Sequence, residues 1–136
     1  MPSDDSERTR LREALRGWLL ARPEVAFAYL HGSFLDRGLY RDIDVAVWLE
    51  ADRVPASAHL DWALDASVAL RNVLGTSVDV QVLNQATLAF RFHALKGQPL
   101  VVRDQEHLDD MRARTWDDYF DFEPFARRYL RESLSG

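Results

Sequence analysis

Asp42 and Asp44 stand one residue apart at the start of an apolar run, Asp42-Ile43-Asp44-Val45-Ala46-Val47-Trp48-Leu49. Side chains alternate faces along a strand, so the two carboxylates point the same way. Like charges side by side repel, and an ordinary sheet avoids them; a cation between the two relieves the repulsion. Asp79 lies in a second such run, Ser77-Val78-Asp79-Val80-Gln81-Val82-Leu83. There Val78, Val80 and Val82 share one face, and Asp79 and Gln81 the other. If these two strands pair, three carboxylates can converge at one edge. Magnesium takes carboxylate oxygens, and phosphates complete its shell. Two such ions can clamp the attacking and leaving oxygens of an in-line phosphoryl displacement. One aspartate alone would read as the solvated end of a strand; a spaced pair with a third on a neighbouring strand asks for more.

Upstream, Gly32-Ser33 follows the run Val25 to Leu30. A Gly-Ser dipeptide by itself is only a turn. Placed after a strand and before a segment that can start a helix, it has a second use. Glycine lets the backbone approach a phosphate closely, Ser33 can donate its hydroxyl, and a helical turn presents free amides to an anion. Arg37 and Arg41 lie between this turn and the aspartate pair, where each can meet a phosphate or simply be solvated.

The elements that must hold these residues follow from periodicity. Residues 6–21 read as a helix capped by Ser6, with Leu11, Ala14, Leu15, Trp18 and Leu19 at helical spacing and Pro23 as its stop. Residues 25–30 and 42–49 read as strands. A helix over 58–73, capped by Ser57, has Leu60, Ala63, Leu64, Val68 and Leu70 as its apolar set, and Gly75 stands where a left-handed C-terminal residue is wanted. Residues 77–83 form a third strand. Asn84 can cap a helix over 86–96, ended by Gly97 and Pro99, and 100–102 can be a short last strand. Residues 104–134 are largely helical, with Pro124 a break or kink. The order α-β-turn-β-α-β-α-β-α gives an α/β (α+β) fold with a small mixed sheet of about four strands flanked by helices. No repeat or internal linker divides residues 1–136, which read as one domain.

Composition narrows the partners. A formal charge of −5, with no Lys- or Arg-rich run, argues against nonspecific nucleic-acid binding. A nucleotide is not excluded, because metal and a few local donors can handle its charge. The absence of cysteine rules out disulfides and thiolate metal sites. The acidic start Met1-Pro2-Ser3-Asp4-Asp5-Ser6 is the reverse of a secretory signal, and no apolar run approaches the ~20 residues of a membrane span. A cytoplasmic location is the expectation.

As a set, Tyr29-Leu30-His31-Gly32-Ser33, Asp42-Ile43-Asp44-Val45-Ala46-Val47 and Val78-Asp79-Val80-Gln81-Val82 resemble the nucleotidyltransferase superfamily, of polymerase beta-like fold. More narrowly they resemble the minimal nucleotidyltransferase (MNT) group, small proteins that pair with HEPN toxins. The resemblance covers about residues 6–102, with 104–134 as a C-terminal helical extension. It implies that Gly32 and Ser33 hold the β- and γ-phosphates of a nucleoside triphosphate. It implies Asp42 and Asp44 as a metal-ligand pair, and Asp79 as a third carboxylate that helps hold Mg2+ and assists deprotonation of an acceptor hydroxyl. The implied reaction is transfer of AMP from ATP to a tyrosine of the toxin, with release of pyrophosphate. The loop before Asp42 is shorter than the family's commonest version, and Arg41 stands where Ser or Thr is more usual. Two alternatives remain beside this reading: an antitoxin acting by stoichiometric binding alone, and adenylylation of a small-molecule hydroxyl.

Other residues carry weaker signals. His31 adjoins the glycine turn and can line the site or merely pack; Gln81 shares the face of Asp79. His59, His93 and His107 are dispersed and read as surface or packing residues. The aromatic stretch from Trp116 to Phe125 reads mostly as core, with the last helix folding back across the sheet, and secondarily as a partner surface. Arg127, Arg128 and Arg131 after it form a solvated face or a contact to an acidic partner.

Overall fold

The computed structural model describes residues 4–35 and 42–135. Four strands, β1 (Val25–His31), β2 (Ile43–Leu49), β3 (Val78–Val82) and β4 (Gln98–Val102), form one mixed sheet in the order β3-β2-β1-β4. Four helices surround it: α1 (Asp4–Leu20), α2 (His59–Leu74), α3 (Leu88–Leu95) and α4 (Gln105–Ser135). β1 runs antiparallel to both β2 and β4, whereas β2 and β3 are parallel. A parallel neighbour needs a crossover, and α2 supplies it.

Strand alternation sorts the core into two layers. One face carries Ala28, Leu30, Val45, Val47, Val78 and Val80 against Leu11, Leu15 and Leu19 of α1 and Ala63, Ala66, Leu70 and Leu74 of α2. The opposite face carries Phe27, Tyr29 and Ala46 beneath Ala94 and Leu95 of α3 and Leu108 of α4. Asp44 and Asp79 fall in the alternation of this second face, at one end of the sheet.

Several local expectations are corrected. Leu60, Leu64 and Val68 are not core: they are 70%, 56% and 57% exposed, whereas Ala63 and Leu70 of the same expected set are buried, joined by His59, Ala66 and Leu74. The two stripes are adjacent on the helix, and the one through Ala63, Ala66, Leu70 and Leu74 faces the sheet. Ser57 does not cap α2; it lies in a short 3-10 turn, Ala56–Ala58, and no side chain caps the helix start. Gly75 does close that helix in the left-handed region, at φ 71°. Thr87, not Asn84, caps α3, accepting from the amide of Phe90. Pro124 lies inside α4 and does not end it. The first half of α4 folds over the sheet through Leu108 and Met111, but its aromatic half packs on α3. There Tyr119 stacks on Phe92 with ring centroids 3.8 Å apart, while Phe120 and Phe122 stay exposed. The side chains of Arg127 and Arg131 lie outside the described residues.

Asn84 instead ties β2 to the segment after β3. Its Nδ2 donates to the carbonyl of Leu49, and its Oδ1 accepts from the Leu49 amide, both at 2.9 Å. This two-way bond seals the far end of the parallel pair.

Candidate active site

β1 ends at His31, and the chain enters a one-turn 3-10 segment, Gly32–Leu35. Gly32 has φ 82°, a left-handed conformation that costs an ordinary residue roughly 1–2 kcal/mol. It also lies against β2: a Cβ built on Gly32 would sit 2.3 Å from Oδ2 of Asp44. Only glycine lets the turn and the carboxylate occupy adjoining space. Phe34, 2% exposed, pins the turn from below, leaving Ser33 exposed above. The guanidinium of Arg8 on α1 donates to the Phe34 carbonyl and lies over its ring at 5.2 Å.

The strand registers bring the acidic residues together. Asp44 pairs across the antiparallel ladder with His31 and across the parallel ladder with Asp79. Asp44 is half-buried, Asp79 exposed, and Asp42 half-buried just before β2. Burial, then the charge of Asp79, then that of Asp42 raise the Asp44 carboxyl above its ordinary value. Among the described residues, negative charge has therefore collected around one side chain, which a cation would relieve.

His31 is held below its ordinary pKa by burial, partly opposed by the charge of Asp79. Its ring meets Phe90 edge-on at 5.4 Å, and its buried Nε2 has no hydrogen-bond partner among the described residues. Gln81 follows Asp79 along β3 and is half-buried. Arg37 and Arg41 lie outside the described residues. His93 and His107 stay apart from the site, whereas His59 lies in the wall of a cavity between α2 and β3 that Asp79 also lines. His59 is buried beside the Val54 carbonyl, His107 packs between Phe27 and Trp48, and His93 is exposed.

Among the described residues no three His, Cys, Asp or Glu side chains form a ready-made metal cage. Magnesium does not require one: it is commonly held by one or two carboxylates plus substrate phosphates. The donor set here fits that pattern, with hard oxygens on β2 and β3 and a glycine turn open to an anion. Sequence reasoning missed Arg8, a half-buried arginine one turn before Leu11 on α1, with no local signal of its partner. It also missed Ser67, whose hydroxyl accepts from the Val80 amide at 2.9 Å and so fixes β3 beside Asp79.

A small mixed sheet with a glycine turn against a strand carboxylate is the framework of a nucleotidyltransferase. The family model described as polymerase beta, nucleotidyltransferase matches residues 13–106, and the chain belongs to that family. Among solved structures, one similar chain comes from a complex of the tri-AMPylated HEPN toxin of Shewanella oneidensis with its MNT antitoxin. It is 21% identical at a TM-score of 0.63, with 97% of this chain and 98% of that one covered. A second comes from the toxin–antitoxin complex MntA-HepT, at 19% identity and TM-score 0.63, covering 98% and 100%. A third, from a toxin–antitoxin structure with AMP-PNP, is 21% identical at TM-score 0.65, covering 95% and 98%. At these identities the likeness speaks for the fold. A comparison with curated proteins gives no match. No helix among the described residues is long and apolar enough to cross a membrane.

Proposed function

We propose that this chain is an MNT-type antitoxin that transfers AMP from ATP to a tyrosine hydroxyl of a HEPN-type toxin. The observation that carries the reading is the pairing of Asp44 with Asp79 directly beside the Gly32 turn. The full-length likeness to chains from complexes of a HEPN toxin with an MNT antitoxin and of MntA with HepT supports the choice of partner. One nucleotidyltransferase domain would span 1–136, with its core over about 6–102 and a helical extension over 104–134, and it would work in the cytoplasm.

In this reading the backbone at Gly32 and the hydroxyl of Ser33 hold the β- and γ-phosphates, with Arg37 and Arg41 as further phosphate contacts. Asp42, Asp44 and Asp79 are the residues that would hold magnesium. When bound, the ion supplies positive charge against the triphosphate and the developing charge of the transition state. The tyrosine oxygen attacks the α-phosphorus, and the bond from that phosphorus to the bridging oxygen breaks. Pyrophosphate leaves, and the hydroxyl proton passes to the carboxylate of Asp79, the most exposed of the three. Gly32 and Asp44 set the distance between the phosphate turn and the acidic strand, which is the positioning that in-line transfer requires.

The test is incubation of the purified chain with magnesium, ATP labelled at the α-phosphate, and the product of the adjacent gene. Label on a tyrosine of that protein, lost with Asp42→Ala/Asp44→Ala, is the expected result. Neutralisation of the partner without label would leave stoichiometric binding as the function.

A further inference from the structure

Four of the seven large apolar residues that stand exposed among the described residues lie on α2: Leu60, Leu64, Val68 and Val73. The first three recur every fourth residue and so form one stripe along the helix. Beside this stripe, between α2 and the edge strand β3, is a cavity of about 370 Å³. Leu60, Ala63 and Leu64 line it from the helix, and Asp79, Val80 and Val82 from the strand. Its size lies within the roughly 300–1,000 Å³ of pockets that enclose small ligands, ample for one aromatic side chain. An apolar stripe that runs into a cavity shared with a candidate catalytic carboxylate has a direction: whatever lies along α2 delivers a side chain to Asp79.

Charge selects the occupant. Asp61 and Asp65 are exposed beside the Leu60–Leu64 end of the stripe that runs into the cavity, Arg71 stands at its far end after Val68, and the whole chain carries −5. A second copy is a poor match, because a twofold pairing of α2 on α2 sets these acidic rows against each other. A segment with an apolar face and basic flanks matches both features. We propose that the Leu60–Leu64–Val68 face of α2 is the docking surface for the partner segment that bears the acceptor tyrosine. That segment is amphipathic with lysine or arginine beside its apolar face, and its tyrosine enters the α2–β3 cavity toward Asp79. The proposal rests on the transfer reading above, and it places the acceptor at the opposite side of Asp79 from the phosphate turn.

The experiment measures two quantities on the full-length chain with the product of the adjacent gene: the Kd of the complex, and AMP transfer at saturating ATP. Leu60→Arg/Leu64→Arg should weaken the complex by about tenfold or more, the scale expected when central apolar anchors are lost. Binding of AMP-PNP with magnesium and the thermal midpoint should stay unchanged, since both leucines are exposed. Asp61→Lys/Asp65→Lys should weaken the complex as well, and reduce its sensitivity to salt. An unchanged Kd in both double variants overturns the docking surface, and continued AMP transfer then leaves the transfer reading standing. Leucine-dependent binding without AMP transfer by the wild type keeps the surface and overturns the transfer reading. A dimer of the chain alone that dissolves in the leucine variant would mean that a second copy is the occupant, and would overturn the proposal.

Discussion

Gly32 and Asp44 are complementary shapes: the carboxylate fills the space a side chain at position 32 would need, leaving 2.3 Å between Oδ2 and the missing Cβ. Gly32→Ala therefore meets two independent penalties. The left-handed backbone alone costs about 1–2 kcal/mol. The methyl group also displaces Asp44 from the turn. Transfer activity should fall by about 100-fold or more, the scale on which roughly ångström misplacements act. Initial rates and denaturant unfolding of the variant check both parts, and a rate near wild type would contradict the proposed geometry.

Asp44 is expected to weaken the fold it serves. Burial and the charges of Asp79 and Asp42 raise its pKa in the folded state, so the native chain binds a proton there more readily than the unfolded one. Stability then falls as pH rises from the ordinary carboxylate value through the raised one, and the penalty is fully present above it. Asp44→Asn removes the charge at every pH. It should raise the thermal midpoint at neutral pH by about 2–5 °C and flatten the acid side of the stability profile, while abolishing transfer. Thermal melts of both proteins across the acid range read this directly; a variant less stable than wild type at neutral pH would refute it.

Much of this site was legible in the sequence because a strand has a period of two. That period puts Asp42 with Asp44 and Asp79 with Gln81, and a single crossover helix makes β2 and β3 parallel neighbours. Less was legible where tertiary packing decides between equal local choices. Leu60, Leu64 and Val68 form as regular a stripe as Ala63, Ala66, Leu70 and Leu74, and only the sheet selects between them. Asn84 has the residue type and position of a cap, but its partner Leu49 is 35 residues away, beyond any local pattern. Arg8 gave no signal for the same reason: the turn it steadies is remote in sequence.

The Asn84 clamp predicts a purely structural variant. Asn84→Ala leaves the amide and carbonyl of Leu49 without their side-chain partner. The cost should be about 1–3 kcal/mol, the range for partly buried backbone groups stripped of a hydrogen bond. Denaturant unfolding should show a lower midpoint at unchanged slope, with the transfer rate at saturating substrate retained.

Nucleotide and metal should stabilise the chain together. At a hundredfold excess over its dissociation constant, a ligand specific for the native state adds about 2.7 kcal/mol. AMP-PNP with magnesium should therefore raise the thermal midpoint of the wild type, and a chelator should reverse most of the rise. Asp42→Ala/Asp44→Ala should show no magnesium-dependent part. A magnesium-dependent rise that persists in this double variant would remove these aspartates from the metal site.

In the proposed function the acidic strands and the glycine turn serve to modify a partner protein. The most direct measurement is the intact mass of the adjacent gene's product after incubation with this chain, magnesium and ATP, followed by peptide mapping. The expected result is a gain of one or more AMP units on tyrosine, absent with Asp42→Ala/Asp44→Ala, and a toxin no longer neutralised by that variant. Full neutralisation by the double variant with no mass gain from the wild type would contradict it.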